Sequence, residues 1–455
     1  MTMKKVFIFC LVCFLFINSS YSQVKILTLQ DCLNIAYTRS TTVLKGNNNV
    51  ALSGTQVLAA YGQFLPDLAA GAGYNFDGGN NFYSSTGPTV VNTTRSAFNY
   101  QVVSSLNLFT GFYNYATWKA AKLNQQAASL TLERAKQQIE LDVTQTYLQL
   151  ILDRELAVLD SENLVISVKR EDQLAMLTDV GRKSKTDLYQ QEAQTSSDKL
   201  LLINAQNRLR SDKITLLQKL RIDSTDKYDF ADIQVEDDAA ADRYGNRDVL
   251  VTEALHDRVD LRSAALNTQA ADYNITKYKS GYLPKVSLNA GLYNNGAYFN
   301  TLNVNGQNEN VGTQAPILNQ LGNQIYGLVG INASWYIFDK YYTRSNVAAA
   351  KIQADNTRID YQDTLIGLVA DVKRAHNDYV NAVQQMETVG AGLTAAQKAY
   401  DAVNGRYQVG ASDFITEANA QLVLLQAAQS KVQASVNMML QKKVIDYYTG
   451  KDIIQ

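Results

Sequence analysis

The sequence predicts a mixed fold of long α-helices and transmembrane β-strands, arranged as one unit that occurs twice in the chain. Three observations predict it. Several stretches of the first half recur in the second half. Each half contains a very long segment without proline. Each half also contains two shorter segments in which apolar and polar residues alternate with the period of a strand. No globular domain needs helices of this length, whereas coiled-coil-like packing does.

The first 22 residues predict a secretory signal peptide. The basic start MTMKK precedes the apolar run VFIFCLVCFLFI, and Ser20-Tyr21-Ser22 is a small-x-small cleavage site. Two of the three cysteines lie in this segment, so the mature chain is expected to keep only Cys32, as a buried apolar residue rather than a nucleophile. The protein is therefore expected to be exported.

Composition argues against several classes of function. The net charge of −1 gives no overall attraction to nucleic acid. The two histidines, His256 and His376, are far apart and lack the spacing of a metal site. The GAG at 71–73 lacks the lysine and the helix start of a phosphate-binding loop. We therefore expect neither an enzyme nor a cofactor.

Two Leu-Pro pairs open the repeated pattern. Leu65-Pro66 and Leu283-Pro284 each follow an aromatic residue and precede small and apolar residues, although the whole chain has only four prolines. Proline cannot continue a helix and pushes the preceding residue toward extended geometry. Each pair is therefore predicted to stand where a helix ends and a membrane strand begins.

The repetition continues with a changed offset. The two prolines are 218 residues apart, whereas the matching Phe109 and Phe338 are 229 apart. The offset of 229 also relates Gly181 to Gly410, so the second copy has an insertion between its proline and its phenylalanine. The predicted organisation is a signal peptide at 1–22, a first repeat at 23–222, an acidic linker at 223–248 and a second repeat at 249–455.

Each repeat is expected to contain one helix of almost seventy residues, at 112–180 and 341–408. Apolar residues recur through both stretches at steps of three and four. As a single helix, each would reach about 100 Å, because a helix rises 1.5 Å per residue. Shorter helices are expected at about 28–64, 186–220, 249–281 and 414–448.

Strands are predicted between the helices, at about 67–76, 98–109, 285–294 and 327–338. Each is about ten residues long, which is the length that crosses a bilayer at a tilt. Long loops rich in Asn, Gly, Ser and Thr are expected at 76–97 and 295–326.

A soluble β-hairpin would show the same alternation, but three features favour a membrane sheet. The chain has a predicted signal peptide, the loops exceed what a hairpin needs, and aromatic residues gather at the helix-side ends of the strands, as at a membrane interface. These aromatic residues are Phe64, Phe109, Tyr282, Trp335, Tyr336 and Phe338. Four strands cannot close a barrel, and open edges are not tolerated in lipid. Symmetry then permits two, three or four copies of the chain.

The ordered set of duplicated Leu-Pro pairs, strand-to-helix passages and two glycine turns, TDVGRKSKTDL and RYQVGASDFITEANA, resembles the TolC-type outer-membrane efflux proteins. The resemblance covers nearly the whole mature chain. It implies a homotrimer in the outer membrane, in which four strands per chain form one shared 12-stranded barrel that continues as a long α-helical barrel in the periplasm. The implied partners are outer-membrane lipid, a periplasmic adaptor protein and an inner-membrane pump, with this chain as a passive exit duct.

The resemblance also implies a gate at a periplasmic tip formed by the turns at Gly181 and Gly410. In the family, a tyrosine just before the second turn and an aspartate after the first turn help to hold the entrance closed. By position these are Tyr407 and Asp187, with Thr186 beside the aspartate. A phenol-to-carboxylate hydrogen bond between them would be charge-assisted.

The sequence departs from the family pattern at this tip. Ser412 stands where the family has an arginine that aids the closure, so Arg182 or Arg406 is expected to replace it. Thr416 and Asn419 stand where aspartates usually line the entrance. Two alternatives to the efflux duct stay open at this point: an exit duct for type I protein secretion, and a periplasmic coiled-coil protein without a pore.

Overall fold

The computed structural model describes residues 25–83, 89–223, 228–233 and 244–451. The predicted signal peptide, and residues 224–227 and 234–243 of the predicted linker, lie outside these ranges. The chain divides into two compact units. The helical unit comprises Met1–Asn48, Ser129–Arg262 and Gln362–Gln455, and the sheet unit comprises Asn49–Ala128 and Ser263–Tyr361.

The described residues alternate long helices with strands. The helices are α1 (Leu29–Arg39), α2 (Thr41–Gly62), α3 (Tyr113–Asp179), α4 (Lys185–Lys219), α5 (Arg247–Asp257), α6 (Val259–Lys279), α7 (Ile317–Asn323), α8 (Tyr342–Gln408) and α9 (Phe414–Thr449). The strands are β1 (Lys25–Leu27), β2 (Ala69–Tyr83), β3 (Thr89–Phe109), β4 (Tyr228–Phe230), β5 (Lys285–Val304), β6 (Gln307–Asn308) and β7 (Ile325–Ser334). Among these helices, none is both long enough and apolar enough to cross a membrane.

The two predicted long helices are present as α3 and α8, each of 67 residues. Each is followed by a helix about half as long, α4 and α9. We call α3 with α4 the first hairpin and α8 with α9 the second hairpin. The predicted helices at 28–64 and 249–281 need correction, because each is two helices separated by a single residue.

The two breaks occur at Ser40 and Arg258, which are 218 residues apart like the prolines. Both residues have a negative φ with an extended ψ, of 130° and 119°, so the helical hydrogen-bond pattern stops there. The Arg258 side chain is almost fully buried and pairs with Asp260. The apolar periodicity runs through both breaks, which is why the sequence predicted one helix in each place.

A small core anchors the helical unit. Strands β1 and β4 pair in parallel, with Leu27 beside Phe230. The fully buried Tyr147 of α3 packs edge-on against the Phe230 ring, with centroids 5.9 Å apart, and its hydroxyl donates to the backbone oxygen of Ala231. The predicted burial of Cys32 is confirmed, since this core encloses its side chain.

The strands of the sheet unit form one antiparallel sheet in the order β2-β3-β5-β7, with β6 added to the end of β5. Strands β2 and β7 are the outermost strands of this order. Pro66 and Pro284 lie between a helix and a strand, as predicted.

Register places most apolar residues of β3 and β5, and Ile331 of β7, on one face. Leu106, Leu288 and Ile331 are directly opposite one another on β3, β5 and β7. One position further along, Asn107 pairs with Ser287, and Ser287 pairs with Asn332. Successive side chains of a strand point to opposite faces, so the sheet has an apolar face and a polar face.

The predicted strand ends and loops are wrong on the side away from the helices. Strands β2, β3 and β5 extend far into the predicted loops at 76–97 and 295–326, and β2 and β3 pair up to Tyr83 and Thr89. Backbone pairing does not require apolar side chains, and polar residues reinforce it here. Arg95 forms an ion pair with Asp77 at 2.8 Å.

Beyond the end of β7, two glutamine side chains occupy the free edge of β5. The Gln320 amide accepts from the backbone nitrogen of Ala297 at 2.8 Å and donates to its oxygen at 2.9 Å. Gln314 bonds the nitrogen and oxygen of Phe299 in the same way, at 2.8 Å each. These amides satisfy backbone groups that an edge strand otherwise exposes.

Strand β7 is also shorter than predicted, because it ends at Ser334 rather than 338. The indole of Trp335 donates to the backbone oxygen of Tyr282 at 3.1 Å. The chain then turns through Lys340 and Tyr341, which both have a positive φ. The ladder ends before this turn, because Ser334 pairs with Lys285, the first residue of β5, and Pro284 before it has no backbone N–H to donate.

Candidate functional site

The predicted tip is built from two turns with the same backbone. Gly181 and Gly410 have φ values of 72° and 76°. The nitrogen of Arg182 donates to Leu177 and that of Ala411 donates to Arg406, both at 2.8 Å, which closes each long helix with the hydrogen bond typical of a C-terminal glycine. A side chain at either glycine would meet open space, so the left-handed backbone is what requires glycine.

Each turn leads into a capped helix. The Ser184 hydroxyl accepts from the nitrogen of Thr186 at 3.0 Å, and the Asp413 carboxylate accepts from the nitrogen of Thr416 at 2.8 Å. Asp187 lies in the first turn of α4, where a carboxylate is favoured by the helix dipole. The hydrogen bond from the backbone of Thr416 is the largest cause that lowers the pKa of the Asp413 carboxyl.

Tyr407 contacts both turns, but not through the expected partner. Its ring packs against Phe414 with centroids 6.5 Å apart, and the Lys183 ammonium lies 4.7 Å from its centroid. Among the described residues the structure records no hydrogen bond between Tyr407 and Asp187. A cation–π contact and a ring contact therefore connect the two turns within this chain.

Lys183 provides a positive charge at the tip, where Ser412 stands in place of the arginine of the family pattern. The two positions are equivalent in the duplication, because they are 229 residues apart. The substitutes expected from the sequence, Arg182 and Arg406, are exposed and hold no ion pair among the described residues. Comparison of the two repeats at this position was the signal that would have identified Lys183.

A second link between the hairpins, which sequence reasoning missed, centres on Arg170 of α3. Its guanidinium forms an ion pair with Glu417 of α9 and donates to Gln421 of α9 and to the Tyr400 hydroxyl of α8. Glu417 is 1% exposed. Burial is the main influence on its carboxyl and raises its pKa, against the opposing effect of Arg170.

The link continues along α3 and α9 as a polar ladder. Gln421 donates to the side-chain oxygen of Asn163 at 2.9 Å, and Gln429 donates to the carboxylate of Asp160 at 2.8 Å. A cavity of about 280 Å³ lies beside the ion pair of Arg170 and Glu417. Its lining includes Arg170, Leu174, Lys183, Tyr407, Phe414 and Glu417. These contacts hold the two hairpins together near their turns.

The predicted interface aromatics lie at the helix-side end of the sheet. Trp335, Tyr336 and Phe338 are exposed, and Phe109 is half-buried against Phe112. Leu65 and Leu283 are exposed as well. No cluster of three or more His, Cys, Asp or Glu side chains within the described ranges is arranged to hold a metal ion.

The geometry of paired helical hairpins and a four-strand antiparallel sheet agrees with the sequence comparison. Residues 250–445 match the profile of the outer membrane efflux protein family. The second repeat is therefore similar to that family over most of its length. No relative with a curated description matches the sequence.

Several solved structures share the fold of this chain. The outer membrane protein VceC from Vibrio cholerae has a TM-score of 0.76 at 15% identity, over 93% of this chain and 96% of that one. The Campylobacter jejuni CmeC outer membrane channel gives 0.75 at 16% identity, over 93% and 85%. The open state of the Neisseria gonorrhoeae MtrE outer membrane channel gives 0.69 at 17% identity, over 95% and 93%.

The family match and the shared fold favour a TolC-type channel of the outer membrane over the alternative of a coiled-coil protein without a pore.

Proposed function

We propose that three copies of this chain form the exit duct of a tripartite efflux system, with one 12-stranded barrel in the outer membrane. The observation that carries the proposal is the sheet itself. Within the described residues, the outer edges of β2 and β7 have no strand partner in the chain. Unpaired edges cannot remain in lipid, so another copy must cover them.

Strand directions suit this closure. Neighbours in the order β2-β3-β5-β7 are antiparallel throughout, so β2 and β7 run in opposite directions. When β7 of one copy pairs with β2 of the next, the alternation continues around the ring. Closed rings of this kind use one head-to-tail interface repeated by rotation.

The two faces of the sheet suit a water-filled lumen. The apolar face carries Leu106, Leu288 and Ile331 and suits lipid, whereas the polar face carries Asn107, Ser287 and Asn332 and suits water. Substrates delivered by an inner-membrane pump would pass through this lumen without further energy. The duct itself then needs no catalytic residue.

The periplasmic tip is proposed as the gate and as the docking place of a periplasmic adaptor. Its lock within each copy would be the contact of Tyr407 with Lys183 and Phe414, strengthened by the ion pair of Arg170 and Glu417. A hydrogen bond from Tyr407 to Asp187 is the alternative lock, and two substitutions of Tyr407 separate the two.

Tyr407→Phe removes the phenol but keeps the ring, whereas Tyr407→Ala removes both. If the cation–π and ring contacts hold the gate, Tyr407→Ala should raise single-channel conductance in a planar bilayer several-fold, and Tyr407→Phe should leave it near the wild-type level. Lys183→Ala should raise conductance by a smaller factor, because Phe414 still contacts the ring. Arg182→Ala is the matched control, since this neighbouring cation is exposed.

The outcomes separate the parts of the proposal. Equal opening by Tyr407→Phe and Tyr407→Ala would assign the lock to the phenol. Wild-type conductance in all variants would place the gate elsewhere. A folded monomer measured by light scattering, with the detergent mass subtracted, would refute the shared barrel.

A further inference from the structure

Each repeat leaves its sheet through a turn with the same local structure. We call 110–112 the first leaving turn and 339–341 the second leaving turn. Gly111 and Phe112 have φ values of 64° and 71°, and Lys340 and Tyr341 have values of 58° and 64°. In the first turn Phe112 packs edge-on against Phe109, and in the second Tyr341 packs likewise against Phe338, with centroids 5.5 Å apart in both cases.

Each repeat also enters its sheet through a matching turn. We call 62–65 the first entering turn and 280–283 the second entering turn. The nitrogen of Leu65 donates to the oxygen of Gly62 at 3.0 Å, and the nitrogen of Leu283 donates to that of Ser280 at 3.1 Å. The two turns are equivalent by the offset of 218.

Within the chain, the first leaving turn packs against the second entering turn. Gly111 is buried so closely there that a Cβ atom at this position would lie 2.7 Å from the backbone oxygen of Ser280 and 3.0 Å from the Cβ of Leu283. Ser280 is buried as well. This contact joins β3 and β5, which are neighbours in the sheet.

The equivalent surfaces of the other two turns are open. Lys340, at the position of Gly111, is exposed, and so is Gly62, at the position of Ser280. The first entering turn precedes β2, and the second leaving turn follows β7. Because β2 and β7 are at opposite ends of the sheet order, these two turns cannot meet within one chain. A second chain is needed to repeat the contact.

We propose that the second leaving turn of one copy packs against the first entering turn of the next copy, with Lys340 on Gly62. The proposal rests on the closed barrel proposed above, because pairing of β7 with β2 of the next copy brings these two turns side by side. Beyond the barrel, the proposal names the residues through which neighbouring copies touch at its helix-side end. A cavity of about 480 Å³ beside the second leaving turn, lined in part by Leu283, Tyr336 and Phe338, would receive Leu65 of the neighbour.

The distribution of glycine supports this pairing. In the internal contact the glycine is in the leaving turn, at Gly111, and faces Ser280. In the proposed contact it is in the entering turn, at Gly62, and faces Lys340. A Cβ atom at Gly62 meets nothing within 4 Å in the single chain, and its φ is not left-handed. In the single chain nothing contacts this position, and its backbone does not require glycine, whereas a neighbour's Lys340 side chain would need the space.

Cysteine cross-linking tests the contact. The double variant Gly62→Cys, Lys340→Cys should form intermolecular disulfides on mild oxidation, because the proposed spacing suits the Cα separation of a disulfide. Most of the chain should then run as a covalent trimer in a denaturing gel. Cys32 can stay in place, since burial raises the pKa of its thiol to about 12.

Two controls fix the direction and the specificity. Co-expression of the two single variants should give cross-linked dimers at most, because no single chain carries both thiols. Leu52→Cys with Lys340→Cys should stay monomeric in the gel, because exposed Leu52 lies ten residues from Gly62 along α2, about 15 Å at 1.5 Å per residue.

Cross-linking and light scattering together separate a failure of the turn contact from a failure of the shared barrel. A trimer by light scattering without any disulfide in the Gly62→Cys, Lys340→Cys variant would refute the turn contact and leave the shared barrel standing. Phospholipid bound in the cavity of that trimer would assign the cavity to lipid and refute the contact as well. A monomer by light scattering would refute the barrel itself.

Discussion

The two hairpins descend from one repeated unit, yet their helices meet through different chemistry. Along the first hairpin, polar residues recur at steps of seven, or of fourteen across Ala205, on the facing sides of α3 and α4. They are Asp153, Asp160 and Ser167 on α3, and Gln191, Asp198 and Asp212 on α4. The equivalent residues of the second hairpin are Ala382, Val389 and Ala396 on α8, and Ala420, Ala427 and Gln441 on α9.

The polar residues of the first hairpin need partners because they are buried. Asp153, Asp160 and Asp198 are each at most 5% exposed. Asp198 accepts from the Ser167 hydroxyl on the facing helix and from Gln194 at 2.9 Å. Buried polar groups without such partners would lower stability.

The difference separates two ways of holding antiparallel helices together. Small side chains let α8 and α9 pack by shape, and apolar contacts have no preferred direction. Hydrogen bonds to a carboxylate are directional, so the bond between Ser167 and Asp198 fixes the register of α3 against α4. The first hairpin also depends on the second one, because Gln429 of α9 supplies a hydrogen bond to Asp160.

The largest effect is expected where the first hairpin reaches the second, at Arg170. Arg170→Ala should destabilise the region near the turns by about 3–5 kcal/mol, because it leaves the buried Glu417 without its cation. The equivalent position in the second hairpin is already alanine, Ala399. Hydrogen exchange of α9 around Glu417, measured by mass spectrometry, reports this loss.

A compensating variant checks the reason. Arg170→Met with Glu417→Leu removes both charges and should recover most of the protection, since apolar residues of similar volume replace buried ion pairs well. If the double variant exchanges as fast as Arg170→Ala, the hydrogen bonds to Gln421 and Tyr400 are what hold the hairpins, rather than the ion pair.

A smaller effect, with a defined pH dependence, is expected at Asp153 and Asp212. Burial raises the pKa of Asp212 to about 6, and a hydrogen bond to Asp153 adds to the rise, because two carboxyls in contact cannot both ionise. Arg208, 3.9 Å from Asp153, opposes it. An unfolded aspartate has a pKa near 3.9. The folded chain therefore binds protons more tightly, and stability falls as the pH rises from about 4 to about 6.

An exchange of residues between the hairpins tests this. Asp153→Ala with Asp212→Gln, which copies Ala382 and Gln441, should remove the pH dependence and stabilise the region at pH 8. Because Asp212 is only half-buried, screening keeps the gain below about 2 kcal/mol. Hydrogen exchange around residue 212 at pH 5 and pH 8, corrected for intrinsic rates, measures it. An unchanged pH dependence would mean that other groups cause it.

Sequence reasoning found the features that depend on local backbone chemistry. The Leu-Pro pairs, the glycine turns and the long helices could be predicted, because proline, glycine and the spacing of apolar residues determine the backbone conformation of the segment in which they lie. The breaks at Ser40 and Arg258 were missed, since the apolar period continues across them. The outer parts of β2, β3 and β5 have the composition of loops, because backbone pairing does not require a particular side-chain polarity.

The site was predicted less completely than the fold. The sequence predicts that Tyr407 and the two glycine turns lie together, which the structure shows, but it does not point to Lys183, Arg170 or Glu417. Arg170 and Glu417 lie on different hairpins, and only the tertiary structure brings them together. Lys183 was accessible in principle, because it occupies in the first turn the position that Ser412 occupies in the second.

The smallest effect is expected at the two helix caps, which the duplication has also made different. Asp413 and Ser184 are equivalent positions, and each accepts a hydrogen bond from the backbone of the helix that follows. Asp413→Ala should destabilise the second turn slightly, and Ser184→Ala should affect the first turn less, because the carboxylate also interacts with the helix dipole. Limited proteolysis at the turns should show faster cleavage of the second turn in Asp413→Ala.

The pH dependence of that cleavage separates the dipole from the hydrogen bond. The lowered pKa of Asp413 means that its cap is charged at neutral pH and weakens only as the pH falls through that low value. Asp413→Ser gives the second turn the cap of the first one. It should cleave at a rate between those of the wild type and Asp413→Ala at pH 7. Equal rates for wild type and Asp413→Ser would show that charge adds nothing to the cap.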